Sequence, residues 1–172
     1  MLKTVGMGAV FLSCTAIGFC MSAELRERVK ELGELERIVQ ILKGEIEYAG
    51  TPLQEAFEEA AARTDKKFQN FFGETVKQMR QNDGRTLKVV VEDCAKKELQ
   101  GSSLKKDDIQ RFCKMCGRLG YLDCRMQLQI LEMYARELAK ERGEAQEDYR
   151  QKEKIYRQLG AAAGIFFVLL LL

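Results

Sequence analysis

Histidine and tryptophan are absent from this chain of 172 residues, and proline occurs once, at Pro52. Without histidine the sequence has no Ser–His triad, few ways to bind catalytic zinc and no ordinary general base near neutral pH. The scarcity of proline favours helix nearly throughout. A basic block is also lacking, because 28 basic and 26 acidic residues are mixed along the chain. That balance argues against a nucleic-acid-binding protein.

The cysteines allow more than one interpretation. Two lie in an apolar N-terminal run and four in the polar middle of the chain: Cys14 and Cys20, then Cys94, Cys113, Cys116 and Cys124. The pair 113 and 116 has the C-x-x-C spacing of zinc and redox sites. The same pair shares a helical face with apolar residues, where cysteine acts as a small hydrophobe. A zinc ribbon would need a second close pair, so we expect packing and no metal or cofactor, with a zinc or redox module as the alternative.

The N-terminal run, residues 4–23 (TVGMGAVFLSCTAIGFCMSA), carries no charge. As a helix rising ~1.5 Å per residue it would be about 30 Å long, which matches a bilayer core. We therefore predict a transmembrane anchor in residues 1–23. Two alternatives stay open: a lipoprotein modified at Cys14, and a cleaved signal peptide, for which MSA is a poor cleavage site.

The C-terminal segment, residues 159–172 (LGAAAGIFFVLLLL), is apolar to its last residue. Its helix would be only about 21 Å long, so we predict a membrane segment without specifying a full crossing. Burial in the protein's own core is the alternative. Basic residues flank both apolar segments on the side that faces the middle of the chain, and only Lys3 lies on the other side. The positive-inside rule then places the middle of the chain in the cytoplasm.

Residues 24–158 are predicted to form an all-α domain, a small antiparallel helical bundle between the two membrane helices. From Leu25 to Ile46, apolar residues recur at spacings of three and four, which is typical of one helix face. The valine run at 89–91 resembles a strand only if its flanks are ignored.

A tight corner is predicted around the single proline. Gly50 can end one helix in the left-handed conformation, and Thr51 can cap the next. Pro52 then occupies the first helical position, and Gln54 completes a capping box.

Two other helix starts are predicted from polar side chains. In RLGYLD (118–123), Gly120 closes one helix and Asp123 caps the next. Before that, Ser102 or Ser103 is expected to cap a helix whose first turn carries Asp107 and Asp108, near the positive end of the helix dipole.

Catalytic motifs are missing. The adjacent acidic pairs do not point the same way on a helix, and no G-x-x-x-x-G-K-[ST] phosphate loop occurs. We therefore do not expect an enzyme.

Three motifs resemble one known family. The segments LKGEIEYAGTPLQEAF, LGYLDCRMQLQ and EKIYRQLGAAAGIFFVLLLL occur in that order and together resemble the stage III sporulation protein AB family of endospore-forming bacteria. The likeness covers nearly the whole chain. The family positions, structural or at an interface, are Glu45, Tyr48, Thr51, Pro52, Leu53, Leu119, Gly120, Asp123, Gln127, Leu159 and Gly160.

The resemblance implies a function that composition alone does not. It implies a subunit of the channel complex between mother cell and forespore, located in the mother-cell membrane around the forespore. The middle domain would be similar to the cytoplasmic domains of type II secretion and type IV pilus platform proteins. Its implied partners are stage III sporulation protein AA, a secretion-type ATPase, and other subunits of the complex. A membrane-anchored assembly or sensor protein of another process is the alternative.

Overall fold

The computed structural model describes residues 2–81, 84–120 and 122–171. Within these ranges it describes the backbone alone at 2–15, 17, 18, 154, 156, 157, 159–161 and 163–171. All regular structure among the described residues is helical, which confirms the predicted all-α class. The α-helices are α1 (Leu2–Gly44), α2 (Leu53–Ala62), α3 (Lys66–Gln81), α4 (Leu87–Glu98), α5 (Lys106–Leu119) and α6 (Cys124–Leu171), and α1 continues into a π turn (Glu45–Ala49).

The chain divides into two compact units. One consists of the chain up to Lys30 together with the chain from Gly143 onward, and it contains the beginning of α1 and the end of α6. The other is Glu31–Arg142, called the bundle unit below. The domain boundaries predicted after residues 23 and 158 stay predictions.

From Leu32 onward, the apolar stripe of α1 lies inside the bundle unit. Leu32, Leu35, Ile38 and Leu42 are fully buried, as the spacing of three and four predicts. The C-terminal part of α1 runs beside α6, with Glu36 paired to Arg142 and Lys43 to Glu132. These pairs occur in opposite order along the two helices, so α1 and α6 are antiparallel within this unit.

Aromatic rings fill the centre of the bundle unit. The Phe112 ring lies 5.4–6.5 Å, centroid to centroid, from four other rings, those of Phe68, Phe71, Phe72 and Tyr134. Edge-on and tilted contacts of this kind stabilise a core beyond the burial of apolar area. The rings come from α3, α5 and α6, so they join three helices that are distant in sequence.

Helices α2 to α5 pack in sequence order, α2 on α3, α3 on α4 and α4 on α5. The valine run belongs to α4, where Val90 and Val91 are buried and Val89 is exposed. The residues on both sides of the run therefore favour helix over strand, as predicted.

The two predicted membrane segments are not confirmed as spans. Among the residues that the structure describes, no helix combines the length and the apolar character needed to cross a bilayer. Most side chains of residues 4–23 and 159–172 lie outside that described part.

Candidate functional site

The first corner is built on the backbone carbonyl of Glu45. This oxygen accepts a hydrogen bond from the Gly50 N–H, which closes the π turn, and another from the Thr51 N–H at 3.2 Å. The Thr51 hydroxyl donates a third, at 2.8 Å. Gly50 has φ 61°, so the predicted left-handed helix end is confirmed. The last carbonyls of a helix lack intrahelical donors, and here Thr51 supplies two.

The predicted capping box after this corner is wrong. Helix α2 begins at Leu53 after Pro52, with no side-chain cap, and the Pro52 carbonyl accepts from the Ala56 N–H at 3.0 Å. The Thr51 hydroxyl is turned back toward Glu45, so it is not placed to accept from the amides of α2. The Gln54 amide donates instead to the Glu58 carboxylate at 3.3 Å.

The second corner joins α5 to α6. Asp123 accepts from the Met126 N–H at 2.9 Å, which confirms it as the N-cap of α6. The Gln127 amide donates to the Leu119 carbonyl at 2.7 Å and ties the first turn of α6 to the last residue of α5. These two bonds fix the direction in which α6 leaves the corner.

Gly120 follows the end of α5, as predicted, but glycine is required there for a different reason. Its φ is −71°, an ordinary right-handed value that any residue adopts. A Cβ at this position would lie 2.9 Å from Cδ2 of Leu87, the first residue of α4. The close approach of α4 to α5, and not a left-handed turn, selects glycine.

The two corners lie together in the bundle unit. The Cys124 thiol, one residue after the cap of α6, donates to the Ile46 carbonyl in the π turn at 3.6 Å. One turn earlier on α1, the Lys43 ammonium binds the Glu132 carboxylate at 2.8 Å. Two segments more than 60 positions apart in sequence therefore meet, and we call residues 45–53 with 119, 120 and 122–127 the corner end.

Exposed apolar groups mark the corner end as a candidate interface. The Tyr48 residue is 83% exposed and Met126 is 54% exposed, although both are large and largely apolar. Pro52 and Asp123 of the corner end are also exposed, whereas Leu119 is buried and Gln127 half-buried. Tyrosine and methionine are common in the centres of protein interfaces. The family positions thus divide into residues that shape the corners and residues that face solvent.

Leu159 and Gly160, the last two family positions, belong to α6 in the other unit, and their side chains lie outside the described residues. The structure does not bring them into the corner end.

The cysteines of α4 and α5 have the character of packing groups. Cys94, Cys113 and Cys116 are buried. Burial raises the pKa of Cys113 to about 12 and raises the pKa values of Cys94 and Cys116 as well. Redox and metal-binding thiols need the opposite shift. Across the described part of the chain, no three acidic, cysteine or histidine side chains are grouped as a metal site requires.

Sequence reasoning missed Glu31, a buried carboxylate that joins three segments. Its Oε2 accepts from the Ser102 hydroxyl at 2.6 Å, from the Ser103 N–H at 2.8 Å and from the Leu104 N–H at 3.2 Å. Its Oε1 accepts from the Lys67 ammonium at 2.6 Å. The sequence contains one indication that Glu31 is buried: this acidic residue lies on the apolar face of α1 that includes Leu32 and Leu35.

The prediction that Ser102 or Ser103 caps α5 is wrong. The Ser102 hydroxyl and the Ser103 N–H both donate to the Glu31 carboxylate, and α5 begins later, at Lys106. Its first turn is closed by Asp108, which accepts from the Lys105 N–H at 2.9 Å.

Comparisons with known proteins give a consistent result. The model of the family described as stage III sporulation protein AB matches residues 3–172. A curated relative, stage III sporulation protein AB of Bacillus subtilis (strain 168), is 27% identical over 172 residues, which is 100% of both chains. A solved structure of a stage III sporulation protein AB has a TM-score of 0.64 at 23% identity, and the match covers 72% of this chain and 97% of that one. At this identity the structural likeness supports the fold alone.

Proposed function

Because the chain belongs to the stage III sporulation protein AB family, it is a sporulation protein, and we propose that it acts as a non-enzymatic platform subunit of the mother cell–forespore channel complex. In this role the bundle unit docks a secretion-type ATPase, stage III sporulation protein AA, and holds it beside the other subunits. The family resemblance and the absence of a catalytic motif from the sequence support the proposal.

One observation carries the docking role: two separate family motifs converge on the corner end and leave Tyr48 and Met126 exposed there. The buried and hydrogen-bonded members of the corner end account for its shape. The exposed tyrosine, in contrast, contributes little to the core. A rigid aromatic side chain on a hydrogen-bonded turn suits insertion into an apolar pocket of a partner, with its hydroxyl bonded at the rim.

Attachment to the mother-cell membrane is the second part of the proposal. The uncharged run at 4–23 is long enough for a bilayer core, and the chain ends on a second apolar segment. Basic residues follow the first apolar segment and precede the second, and the positive-inside rule then favours a cytoplasmic bundle unit, on the side where an ATPase has access to nucleotide.

The test is a binding measurement between the full-length chain in detergent and the purified ATPase. We expect Tyr48→Ala to weaken binding at least tenfold while leaving the melting temperature unchanged, because the side chain is exposed. Val89→Ala is the matched control, since it truncates an apolar side chain that is 41% exposed on α4. Equal binding by wild type and Tyr48→Ala would remove the corner end from the interface, and no binding by the folded wild type would contradict ATPase docking itself.

A further inference from the structure

A second surface of the bundle unit, distinct from the corner end, has the form of a binding groove. It lies between α4 and α5, below the loop that connects them, and has a volume of about 620 Å³. Its floor is apolar and includes Ala95, Leu99, Leu104 and Ile109. Ile109 is half-buried, whereas Leu99 and Leu104 are buried, so part of the floor is already accessible to a partner.

The rim of the groove carries unbalanced positive charge. Lys96 is 3.4 Å from Asp93, and Glu92 is 3.9 Å from Lys88, so each has a partner of opposite sign. Lys106, in contrast, is exposed and makes no hydrogen bond or ion pair within the described part of the chain. It is therefore the charge at this rim that is available to a ligand.

Two of the three charged side chains that line the groove, Lys96 and Lys106, are basic. Residues 96–106, KKELQGSSLKK, contain four lysines and one glutamate, and acidic pairs lie on both sides of this segment, at 92–93 and 107–108. The Gln110 side chain, one turn after Lys106, also lines the groove and has no partner among the described residues. Next to the apolar floor, the groove thus presents an ammonium and an amide.

We propose that the α4–α5 groove binds an acidic amphipathic helix of a partner protein. Apolar side chains of that helix, spaced at three and four residues, would lie on the floor formed by Leu99, Leu104 and Ile109. A carboxylate beside this stripe would pair with Lys106. Amphipathic helices bind open apolar grooves in this way, whereas small ligands prefer cavities that enclose most of their surface. The inference goes beyond ATPase docking, which uses a different surface.

The test is a selection from a displayed library of helical 16-residue peptides against the immobilised full-length chain in detergent. We expect the enriched peptides to share an apolar stripe at i, i+3 or i+4, and i+7, with Asp or Glu beside it. Each enriched peptide is then synthesised with a fluorescent label, and its Kd is measured by anisotropy at 0.15 M salt, where charges beyond about 8 Å are largely screened.

Three variants decide the result. Lys106→Glu and Ile109→Ala should each weaken binding at least tenfold. Lys66→Glu is the matched control: Lys66 is also the first residue of its helix and exposed, it is likewise unpartnered among the described residues, and it does not line the groove. The proposal is wrong if no acidic peptide is enriched, if Lys106→Glu binds as tightly as wild type, or if Lys66→Glu weakens binding as much as Lys106→Glu.

Discussion

At the scale of single residues, Glu31 is the polar group on which several segments depend. Its carboxylate is 7% exposed and accepts from two backbone amides, one hydroxyl and one ammonium. A carboxylate removed from water is tolerated when its lone pairs are satisfied in this way. Its donors come from α3 and from the α4–α5 loop, so Glu31 fixes that loop against α1.

Glu31→Ala should lower the free energy of unfolding by about 1–3 kcal/mol, because it leaves the Ser103 amide without an acceptor, whereas the Leu104 amide keeps the Ser102 hydroxyl at 3.1 Å. Glu31→Gln keeps one acceptor oxygen and should lose less. Urea unfolding of the full-length chain, followed by circular dichroism, measures both. Glu55→Ala is the control, because Glu55 is exposed on α2, and a Glu31→Ala effect no larger than this control would contradict the role assigned to Glu31.

At the scale of the elements, the contact between α4 and α5 depends on glycine. A Cβ on Gly117 would lie 3.0 Å from the Cα of Lys88, a backbone atom that cannot rotate away. A Cβ on Gly120 would lie 2.9 Å from Cδ2 and 3.2 Å from Cβ of Leu87, so it meets a side chain whose end can rotate, and no backbone atom. The first glycine is therefore the stricter requirement, although both allow the two helices to approach closely.

Gly117→Ala should destabilise the chain by about 1–2 kcal/mol, since overpacking exceeds the gain of about 1 kcal/mol in helix propensity. Gly73→Ala is the matched substitution on α3, where no atom lies within 4 Å of the new Cβ. It should stabilise the chain by about 0.5–1 kcal/mol. Thermal unfolding of the two variants tests the contrast, and a Gly117→Ala variant that is stabilised as much as Gly73→Ala would show that the α4–α5 contact is not tight.

Much of this architecture could be predicted from the sequence, because apolar spacing determines helix faces and Gly50, Pro52 and Asp123 mark the corners. The direction of the Thr51 hydroxyl could not be predicted. This hydroxyl donates to the Glu45 carbonyl, and the position of that carbonyl depends on the π turn. Glu31 was missed because Ser102 is 71 positions away. The two corner motifs were identified in the sequence separately, and only the structure reveals that they meet.

At the scale of the whole molecule, the buried thiols link stability to pH. Burial favours the neutral thiol, so the folded state keeps a proton on Cys113 up to about pH 12. An unfolded thiol loses its proton near pH 8.5. The contribution of this thiol to stability is thus fully present below about pH 8.5 and is lost as the pH rises toward 12.

The free energy of unfolding should therefore fall between pH 9 and about pH 11, and Cys113→Ala should reduce the slope by about 1.4 kcal/mol per pH unit. Urea midpoints measured across this range give the slope. Val91→Ala, which truncates a buried side chain of α4 that does not titrate, is the matched control. An identical slope in wild type and Cys113→Ala would mean that Cys113 is accessible to hydroxide in the folded state.

The π turn at the end of α1 has a consequence for the evolution of chain length. A π turn holds one residue more than an α turn over the same hydrogen-bonded loop. Deleting Glu47, the exposed residue between buried Ile46 and exposed Tyr48, would let α1 end as ordinary α-helix, with the glycine at position 50 still available to terminate it. The remaining residues of the turn would rotate by about 100° about the helix axis, since an α-helix has ~3.6 residues per turn. A single-codon deletion there would preserve the bundle and redirect Tyr48, so surface recognition could diverge without a change of fold.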